Sequence, residues 1–238
     1  MKNKLNLIIP VYNEEEIINV VVKDWIKVLS QLNIIYSIKL FNDGSTDSTI
    51  KILNNLEKNY PDVIKVIDKK NSGHGSTILK GYTESLDSEW IFQVDSDNEM
   101  KAHYFAKLWE NRNNFDLLIG KRIDRNSPLI RKIMSYISYL VVRVFYSKGI
   151  RDVNSPYRLM RTSAFKEILT SIPRETFAPN IIISGMASKK NLKIKSYKIP
   201  FDTRLTGVNS LNSSISKLFK ISIKSFTETI IYAWNNKI

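Results

Sequence analysis

Short apolar runs alternate along this chain with longer segments in which apolar residues recur every three or four positions. The runs at residues 5–9, 34–41, 63–67 and 90–94 stop at polar residues, a pattern typical of buried strands. Between them, residues 17–28 and 50–56 carry apolar residues at helical spacing. Strands that alternate with helices in this way predict an α/β fold with a mostly parallel central sheet flanked by helices.

The first helix is predicted to begin directly after the first strand. Asn13 is expected to cap it, and Glu14, Glu15 and Glu16 would form its opening turn. Acidic side chains are favourable there because the amino end of a helix dipole is positive.

Two later segments have helical spacing, and each has two interpretations. Apolar residues repeat between Ile130 and Val144 with basic residues among them. Packing against the core is the usual meaning of this pattern, and a lipid-facing helix is the alternative. Near the C-terminus, an apolar arc about 100° wide runs from Ile215 to Trp234, with lysines opposite. This amphipathic pattern fits a packed helix and an interfacial membrane helix equally well.

Composition and charge indicate a folded protein with an anionic partner. Hydrophobic residues make up 43% and charged residues 25% of the 238 residues, which suits one substantial domain. Lysine and arginine number 36 against 23 acidic residues, a formal net charge of +13. This charge favours a nucleotide, a lipid phosphate or a membrane surface as the partner.

The absence of cysteine excludes disulfides and thiol catalysis and is typical of a reducing compartment. The first strand follows Met1 so closely that no signal peptide is expected. No apolar stretch approaches the roughly 20 residues of a membrane span. We therefore expect a cytoplasmic protein without a transmembrane helix. The two histidines lie too far apart in sequence to suggest a histidine-based metal site.

Three acidic turns follow predicted strands, at residues 10–15, 42–47 and 95–99. Ligands of open α/β sheets bind beyond the carboxyl ends of the strands, so these turns are expected to meet at one pocket. Asp95 and Asp97 would suffice for a divalent cation bridged to a diphosphate, since magnesium takes one or two carboxylates together with phosphate oxygens. The ordinary alternative is a turn in which the aspartates bind their own backbone.

Two further loops have both an ordinary and a ligand-binding interpretation. The turn at Asp43 fits a strand-to-helix connection in which a glycine supplies a positive φ. Asp43 would otherwise accept hydrogen bonds from a nucleobase or ribose. In the later loop, Gly73 and Gly75 let the backbone approach a ligand closely, and Lys80 would meet a phosphate.

The order and spacing of these motifs resemble the inverting family 2 glycosyltransferases with a GT-A, Rossmann-like fold. The resemblance covers roughly residues 5–210 and rests on residues 8–15, 42–48, 73–75 and 95–97. Later motifs are similar to those of dolichyl-phosphate mannose synthases and other polyprenyl-phosphate glycosyltransferases: residues 120–122, Arg131 with Ser135, residues 152–158 and residues 204–210. We accordingly expect a catalytic domain over residues 1–212 and an amphipathic helix over residues 213–238.

The resemblance implies a role for each of a set of residues. The nucleotide-sugar site would comprise Pro10, Tyr12, Glu14, Asp43, Gly75, Lys80 and Asp95. Mg²⁺ or Mn²⁺ would be held by Asp95, Asp97 and Glu99, the last in place of the glutamine usual in that branch. The acceptor would be bound by Arg122, Arg131, Asp152, Ser155, Arg204 and Ser210, and the catalytic groups would be Asp97, Arg122, Arg131 and Arg204. Arginine suits this task because its planar guanidinium meets phosphate oxygens in pairs.

The expected acceptor depends on the absence of an acidic residue from the segment that would contact it. Family members that glycosylate hydroxyl groups place a carboxylate in the acceptor region, whereas residues 177–186 contain none and Asn180 occupies this neighbourhood. A phosphate, with a second pKa near 6, is ionised at neutral pH and needs no general base. We therefore expect transfer of a hexose from a GDP- or UDP-linked donor to a polyprenyl phosphate by an enzyme bound peripherally to the membrane. The alternative is a glycan hydroxyl, with Glu175 and Asp152 as the nearest candidate bases.

Two other classes are disfavoured. The basic residues are spread along the chain without a nucleic-acid-binding motif, so no nucleic acid partner is expected. The turn after the first strand lacks the glycines of a dinucleotide-binding loop, which argues against a dinucleotide-dependent oxidoreductase.

Overall fold

A computed structural model describes residues 4–123, 129–146, 150, 152–202 and 215–236, with the backbone alone at residues 129–132 and 215–221. The described strands are β1 (Lys4–Val11), β2 (Ile35–Asp43), β3 (Ile64–Lys69), β4 (Trp90–Gln93), β5 (Leu117–Ile123), β6 (Arg158–Arg161) and β7 (Ile194–Pro200). The described α-helices are α1 (Ile18–Ser30), α2 (Thr49–Asn59), α3 (His74–Thr83), α4 (Phe105–Asn111), α5 (Leu129–Tyr146), α6 (Thr162–Ser171), α7 (Pro179–Lys189) and α8 (Ile215–Asn235).

The strands form a single sheet in the order β3-β2-β1-β4-β6-β5-β7. Strand β6 runs antiparallel to both of its neighbours, β4 and β5, while the other pairs are parallel. The mostly parallel sheet predicted from the sequence is therefore confirmed. The carboxyl ends of β1, β2, β4 and β5 and the amino end of β6 all lie at one edge, which is the edge where α/β proteins bind ligands.

Helices cover both faces of the sheet, because alternate residues of each buried strand point to opposite sides. On one face, Leu5, Leu7 and Ile9 of β1 pack with α1, α2 and α4. On the other, Ile8 packs with α3 and with α5 to α8. Buried aromatic rings fill the first layer, with the ring centroids of Trp25 and Phe92 5.3 Å apart.

The predicted cap of the first helix is wrong. Helix α1 begins at Ile18, and the residue before it makes no capping hydrogen bond through its side chain. Asn13 instead adopts a left-handed backbone with φ of 53°, and its side chain binds the backbone of Thr46. Because the side chain of Asn13 binds the turn after β2, it does not cap α1.

Helix α5 packs on the core as predicted, but through a different face. The apolar repeat read from the sequence points outward at Ile133, Ile137, Leu140 and Val144, while Val142 and Tyr146 are buried. Among the helices that the structure describes, none is both long enough and apolar enough to cross a membrane.

Candidate active site

The turns after β1 and β2 are joined by reciprocal hydrogen bonds. The Oδ1 atom of Asn13 accepts from the backbone N–H of Thr46 at 2.8 Å, and the Asn13 N–H donates to Ser45 Oγ at 3.0 Å. The Glu14 N–H donates to Thr49 Oγ1 at 2.9 Å. These contacts fix the position of Tyr12, whose side chain is 41% exposed at the same edge.

The turn after β4 joins the same edge. Ser96 Oγ lies 3.5 Å from Glu14 Oε1 as a donor, and Pro10 at the end of β1 pairs in register with Phe41 of β2. Glu14 is buried. The expectation that the three acidic turns meet is therefore met in the structure.

Asp95 lies two residues beyond β4, and its Oδ1 atom is held from two directions. It accepts a hydrogen bond from Gln93 Nε2 at 3.0 Å and lies 3.5 Å from His74 Nε2. Asp97 Oδ1 accepts the backbone N–H of Glu99 at 3.2 Å, as the ordinary interpretation of this turn requires. Asp97 and Glu99 are both half-buried, so the turn satisfies its own backbone while leaving Asp97 Oδ2 available for other contacts.

The electrostatics of this turn favour a bound cation. Burial raises the pKa of Asp95 above its ordinary value; His74 opposes this effect, and Asp97 adds to it. A raised pKa means that negative charge is held at a cost, which a divalent cation would offset. The residues in described ranges contain no group of three or more histidine, cysteine or acidic side chains arranged to hold a metal. Two carboxylate ligands still fit magnesium or manganese when diphosphate oxygens complete the coordination.

His74 was not recognised as part of the site from the sequence. It is the first residue of α3, after Gly73 with φ of 90°, and this turn directs the imidazole towards Asp95. The available signal was a histidine between two glycines. The glycines allow the backbone unusual conformations, but they do not show where the imidazole points.

Asp43 is committed to the loop that leads into α3. Its carboxylate forms an ion pair with Lys69 and accepts the backbone N–H groups of Ser72 at 2.8 Å and Gly73 at 3.0 Å. The carboxylate therefore fixes the position of the loop. That Asp43 also accepts a hydrogen bond from the nucleoside remains a prediction.

Gly75 occupies a position that no other residue fits. A Cβ atom there would lie 2.1 Å from the carbonyl oxygen of Phe177 and 2.4 Å from that of Thr176. The start of α3 is thus packed against the segment that leads into α7. Glu228 of α8 accepts the Phe177 N–H at 2.8 Å, so this segment is also tied to the last helix.

Lys80 is not brought to the acidic turn. It lies six residues after His74 in α3, about 9 Å along the helix axis, and pairs with Glu84 at 2.8 Å. Its contact with a phosphate remains a prediction.

Arg122 at the end of β5 is clamped by Asp152. Its Nε and Nη2 atoms donate to the two carboxylate oxygens at 3.0 and 2.5 Å, and its backbone N–H donates at 2.9 Å. Burial alone would lower the pKa of Arg122, but Asp152 raises it, and Asp95 and Glu99 add to the rise. Ser155 supports the same strand by donating to the Gly120 carbonyl at 2.5 Å. The predicted acceptor residues Arg122, Asp152 and Ser155 therefore form one unit beside the acidic turn.

A buried polar network lies beneath Asp95. Asn180 of α7 donates to Gln93 Oε1 at 3.0 Å, and the hydroxyl of Tyr82 lies 2.8 Å from Asn180 Oδ1. The fully buried Arg158 donates to the Asn180 carbonyl at 3.1 Å and to two further backbone carbonyls. Gln93 in turn holds Asp95, so the network fixes the acidic turn from below.

Three of the predicted residues lie wholly or partly outside the described residues. The backbone of Arg131 is in the first turn of α5, but its side chain is not described. Arg204 and Ser210 lie outside the described residues altogether. Their roles remain predictions.

The acidic turn and the clamped arginine lie at the edge where open α/β sheets bind ligands, and the guanidinium of arginine suits a phosphate group there. The sequence model of glycosyl transferase family 2 matches residues 6–169, and the chain belongs to that family. The resemblance recognised from the sequence is thereby confirmed.

Curated relatives are about one quarter identical to this chain over the aligned residues. An undecaprenyl-phosphate 4-deoxy-4-formamido-L-arabinose transferase of Proteus mirabilis is 27% identical over 197 residues, which are 81% of this chain and 59% of the relative. A dolichyl-phosphate beta-glucosyltransferase of Dictyostelium discoideum is 26% identical over 209 residues, covering 80% of this chain and 64% of the relative. The chain thus spans less than two thirds of the length of these relatives.

Solved structures share the fold. A glucosyl-3-phosphoglycerate synthase from Mycobacterium tuberculosis, in complex with Mn²⁺, UDP-glucose and phosphoglyceric acid, aligns with a TM-score of 0.69 at 13% identity over 98% of this chain and 80% of that chain. S. aureus TarS in complex with UDP aligns with a TM-score of 0.57 at 20% identity over 94% of this chain and 65% of that chain. The GT-A fold is therefore confirmed.

Proposed function

We propose that this chain is a metal-dependent, inverting glycosyltransferase that moves a hexose from a nucleotide sugar to a polyprenyl phosphate at the membrane surface. The observation that carries the proposal is the placement of the acidic turn at Asp95 and Asp97 beside the clamped Arg122. The acidic turn suits a cation with a diphosphate, and the arginine suits a second anion. Two relatives, an undecaprenyl-phosphate sugar transferase and a dolichyl-phosphate beta-glucosyltransferase, support the same acceptor class.

On the donor side, the joined turns after β1 and β2 would receive the nucleoside, with Pro10, Tyr12, Glu14 and Asp43 around it. Asp95 and Asp97 would hold Mg²⁺ or Mn²⁺, with Glu99 in the same turn. Such a cation supplies charge neutralisation for the departing nucleoside diphosphate. A structural neighbour that contains Mn²⁺ and UDP-glucose supports this choice of metal.

On the acceptor side, Arg122 would bind the phosphate of the lipid, with Arg131 and Arg204 as further candidates. A phosphate oxygen would form the new bond to the anomeric carbon as the bond to the nucleoside diphosphate breaks on the opposite side, which inverts the configuration. No proton has to leave the acceptor, because the phosphate is already ionised. The hydrogen bonds of Asn180 and Asp152 support this mechanism, because Asn180 is not an acid and Asp152 is committed to Arg122.

Transfer assays test donor and acceptor together. Radiolabelled nucleotide sugars are supplied with Mg²⁺ or Mn²⁺ and a short polyprenyl phosphate. We expect label that enters the organic phase, is released by mild acid and requires the cation. NMR of the product should show the inverted anomeric configuration. Transfer to a soluble glycan alone would overturn the acceptor and favour the hydroxyl alternative, in which replacement of Glu175 should abolish turnover.

A matched pair of variants tests the metal assignment. Asp97→Asn should abolish transfer and lower cation affinity, because it removes a charge from the proposed ligand. Asp62→Asn removes an exposed charge at the amino end of β3, the other edge of the sheet, and should leave both unchanged. Equal activity of the two variants would overturn the assignment.

A further inference from the structure

The outward face of α5 is apolar. Its exposed side chains include Ile133, Tyr136, Ile137, Leu140 and Val144, the last at 72% exposure. Ile133, Ile137, Leu140 and Val144 are three or four residues apart and form one continuous stripe along the helix, with Tyr136 at its side. The stripe lies opposite the buried Ser138, Val142 and Tyr146. Helices of water-soluble proteins normally direct their apolar face towards the core. Helix α5 has apolar residues on its buried face and also on its exposed face.

Helix α8, which packs against α5 and α7, shows the same inversion. Its buried positions are Ser222, Ser225, Thr229, Tyr232 and Ala233, whereas Ile223, Ile231 and Trp234 are 50%, 53% and 65% exposed. The Thr229 hydroxyl donates to the Ser225 carbonyl within the helix at 2.7 Å. Small and hydroxylated residues at a helix interface, with large apolar residues outside, are typical of helices in contact with lipid.

The charges of the two helices favour an anionic surface. Helix α5 contains three basic residues and no acidic residue: Arg131, Lys132 and Arg143. Helix α8 contains Lys217, Lys220 and Lys224 against the single acid Glu228. Glu228 already accepts the Phe177 N–H and pairs with Lys224 at 3.9 Å. Across the two helices, six basic residues stand against one acidic residue. This balance disfavours contact between two copies of the surface and favours anionic phospholipids.

We propose that the outward apolar faces of α5 and α8 bind the surface of an anionic lipid bilayer. The exposed apolar side chains would enter the interface, and the aromatic rings of Tyr136 and Trp234 would lie at the level of the headgroups, where such rings are favoured. The proposal rests on the proposed function, since it names the surface by which the enzyme reaches its lipid acceptor.

Tryptophan fluorescence tests the contact directly. The chain has four tryptophans; Trp25, Trp90 and Trp109 are buried, and Trp234 is exposed. The full chain is mixed with vesicles of phosphatidylcholine containing phosphatidylglycerol. We expect a blue shift of the emission, loss of quenching by iodide and quenching by brominated lipid. Vesicles of phosphatidylcholine alone should bind more weakly, and added salt should weaken binding to the anionic vesicles. Emission that is unchanged by anionic vesicles would overturn the proposal.

Matched variants locate the surface. Leu140→Gln with Val144→Gln removes exposed apolar groups from the α5 stripe and should weaken vesicle binding about tenfold or more. Val20→Gln changes a 49% exposed valine of α1 on the opposite face of the sheet and should leave binding unchanged. Equal binding by both variants would overturn the assignment. A dimer in sedimentation analysis that the α5 variant dissolves would overturn it in favour of a second copy.

Activity separates this proposal from the proposed function. With a short, water-soluble polyprenyl phosphate, the α5 variant should transfer sugar as the wild-type chain does. With acceptor embedded in vesicles, it should lose activity in proportion to its lost binding. Vesicle binding without any transfer would overturn the proposed function and leave the membrane surface intact.

Discussion

The clamp between Arg122 and Asp152 gives a measurable prediction. Asp152→Asn would keep one oxygen as an acceptor but would remove the charge that holds the guanidinium through two hydrogen bonds. Both side chains are largely buried, at 13% and 14% exposure. Removing one partner of a buried pair costs about 3–5 kcal/mol. Because the asparagine oxygen remains, we expect a loss of about 2–3 kcal/mol.

That loss should appear in thermal unfolding. For a chain of this size, a loss of 1 kcal/mol lowers Tm by about 2–4 °C, so circular dichroism should record a decrease of roughly 4–12 °C. Transfer should fall about 100-fold, since a misplaced positioning group costs that order. Asp87→Asn is the matched control: Asp87 pairs with Lys4 but is 59% exposed, and exposed pairs contribute less than about 1 kcal/mol.

One outcome would refute this explanation of Asp152. If Asp152→Asn abolished transfer while Tm stayed within about 1 °C of the wild type, Asp152 would act on the acceptor itself. A pH–rate profile that also lost its acidic limb would identify Asp152 as a general base. The acceptor would then be a hydroxyl.

Three further predictions concern the site and its supports. Burial raises the pKa of Asp95, so the folded chain keeps this proton to higher pH than the unfolded chain does and loses stability as pH rises through the folded value. Mn²⁺ with a nucleoside diphosphate should therefore raise Tm by an amount that grows as pH rises, and a Tm shift that is independent of pH would contradict this. Gly75→Ala should abolish donor binding in calorimetry, because its Cβ would force the carbonyl of Phe177 to move by about 1 Å. Gly73→Ala is the control: its Cβ would meet no atom within 4 Å, but the residue has a positive φ. This control variant should keep donor binding and lose only stability, by about 1 kcal/mol. Asn180→Leu removes the side-chain amide that donates to Gln93 and should lower cation affinity through the Gln93–Asp95 hydrogen bond. A cation affinity equal to that of the wild-type chain would show that the buried network does not position the acidic turn.

The first half of the fold was predictable because its signals are local. Each of the first four strands is a short apolar run that ends at a polar turn, and β1, β2, β3 and β4 lie within about two residues of the predicted runs. The acidic turns follow directly, since the carboxyl ends of parallel strands meet at one edge. The position of Asp95 and Asp97 at that edge was therefore predictable from the sequence alone, and their role at a metal remains a prediction.

The remainder depends on contacts between distant residues. Asn180 binds Gln93 across 87 positions and Tyr82 across 98, and no spacing rule connects them. Arginine is usually found at the protein surface, but Arg158 is fully buried and donates to backbone carbonyls. The position of His74 follows from the turn at Gly73, which the sequence allows but does not determine.

The outward faces of α5 and α8 show a different limit. Helical periodicity identifies an apolar stripe but not the medium that the stripe contacts. In α5 the apolar residues exceed what one face can hold, and the core takes Val142 and Tyr146. The exposure of Val144 depends on how α5 packs against α7 and α8, which its own sequence does not specify.

The insertion of β6 between β4 and β5 has a consequence for biosynthesis. Until Arg158–Arg161 emerges from the ribosome, β4 lacks a partner on one edge, and β5 lacks a partner on both edges because β7 is synthesised later still. The backbone amides and carbonyls at these edges are then able to pair with other chains. Fragments that end before Arg158 should therefore aggregate, and β4 is joined to β5 only when this late, four-residue strand arrives.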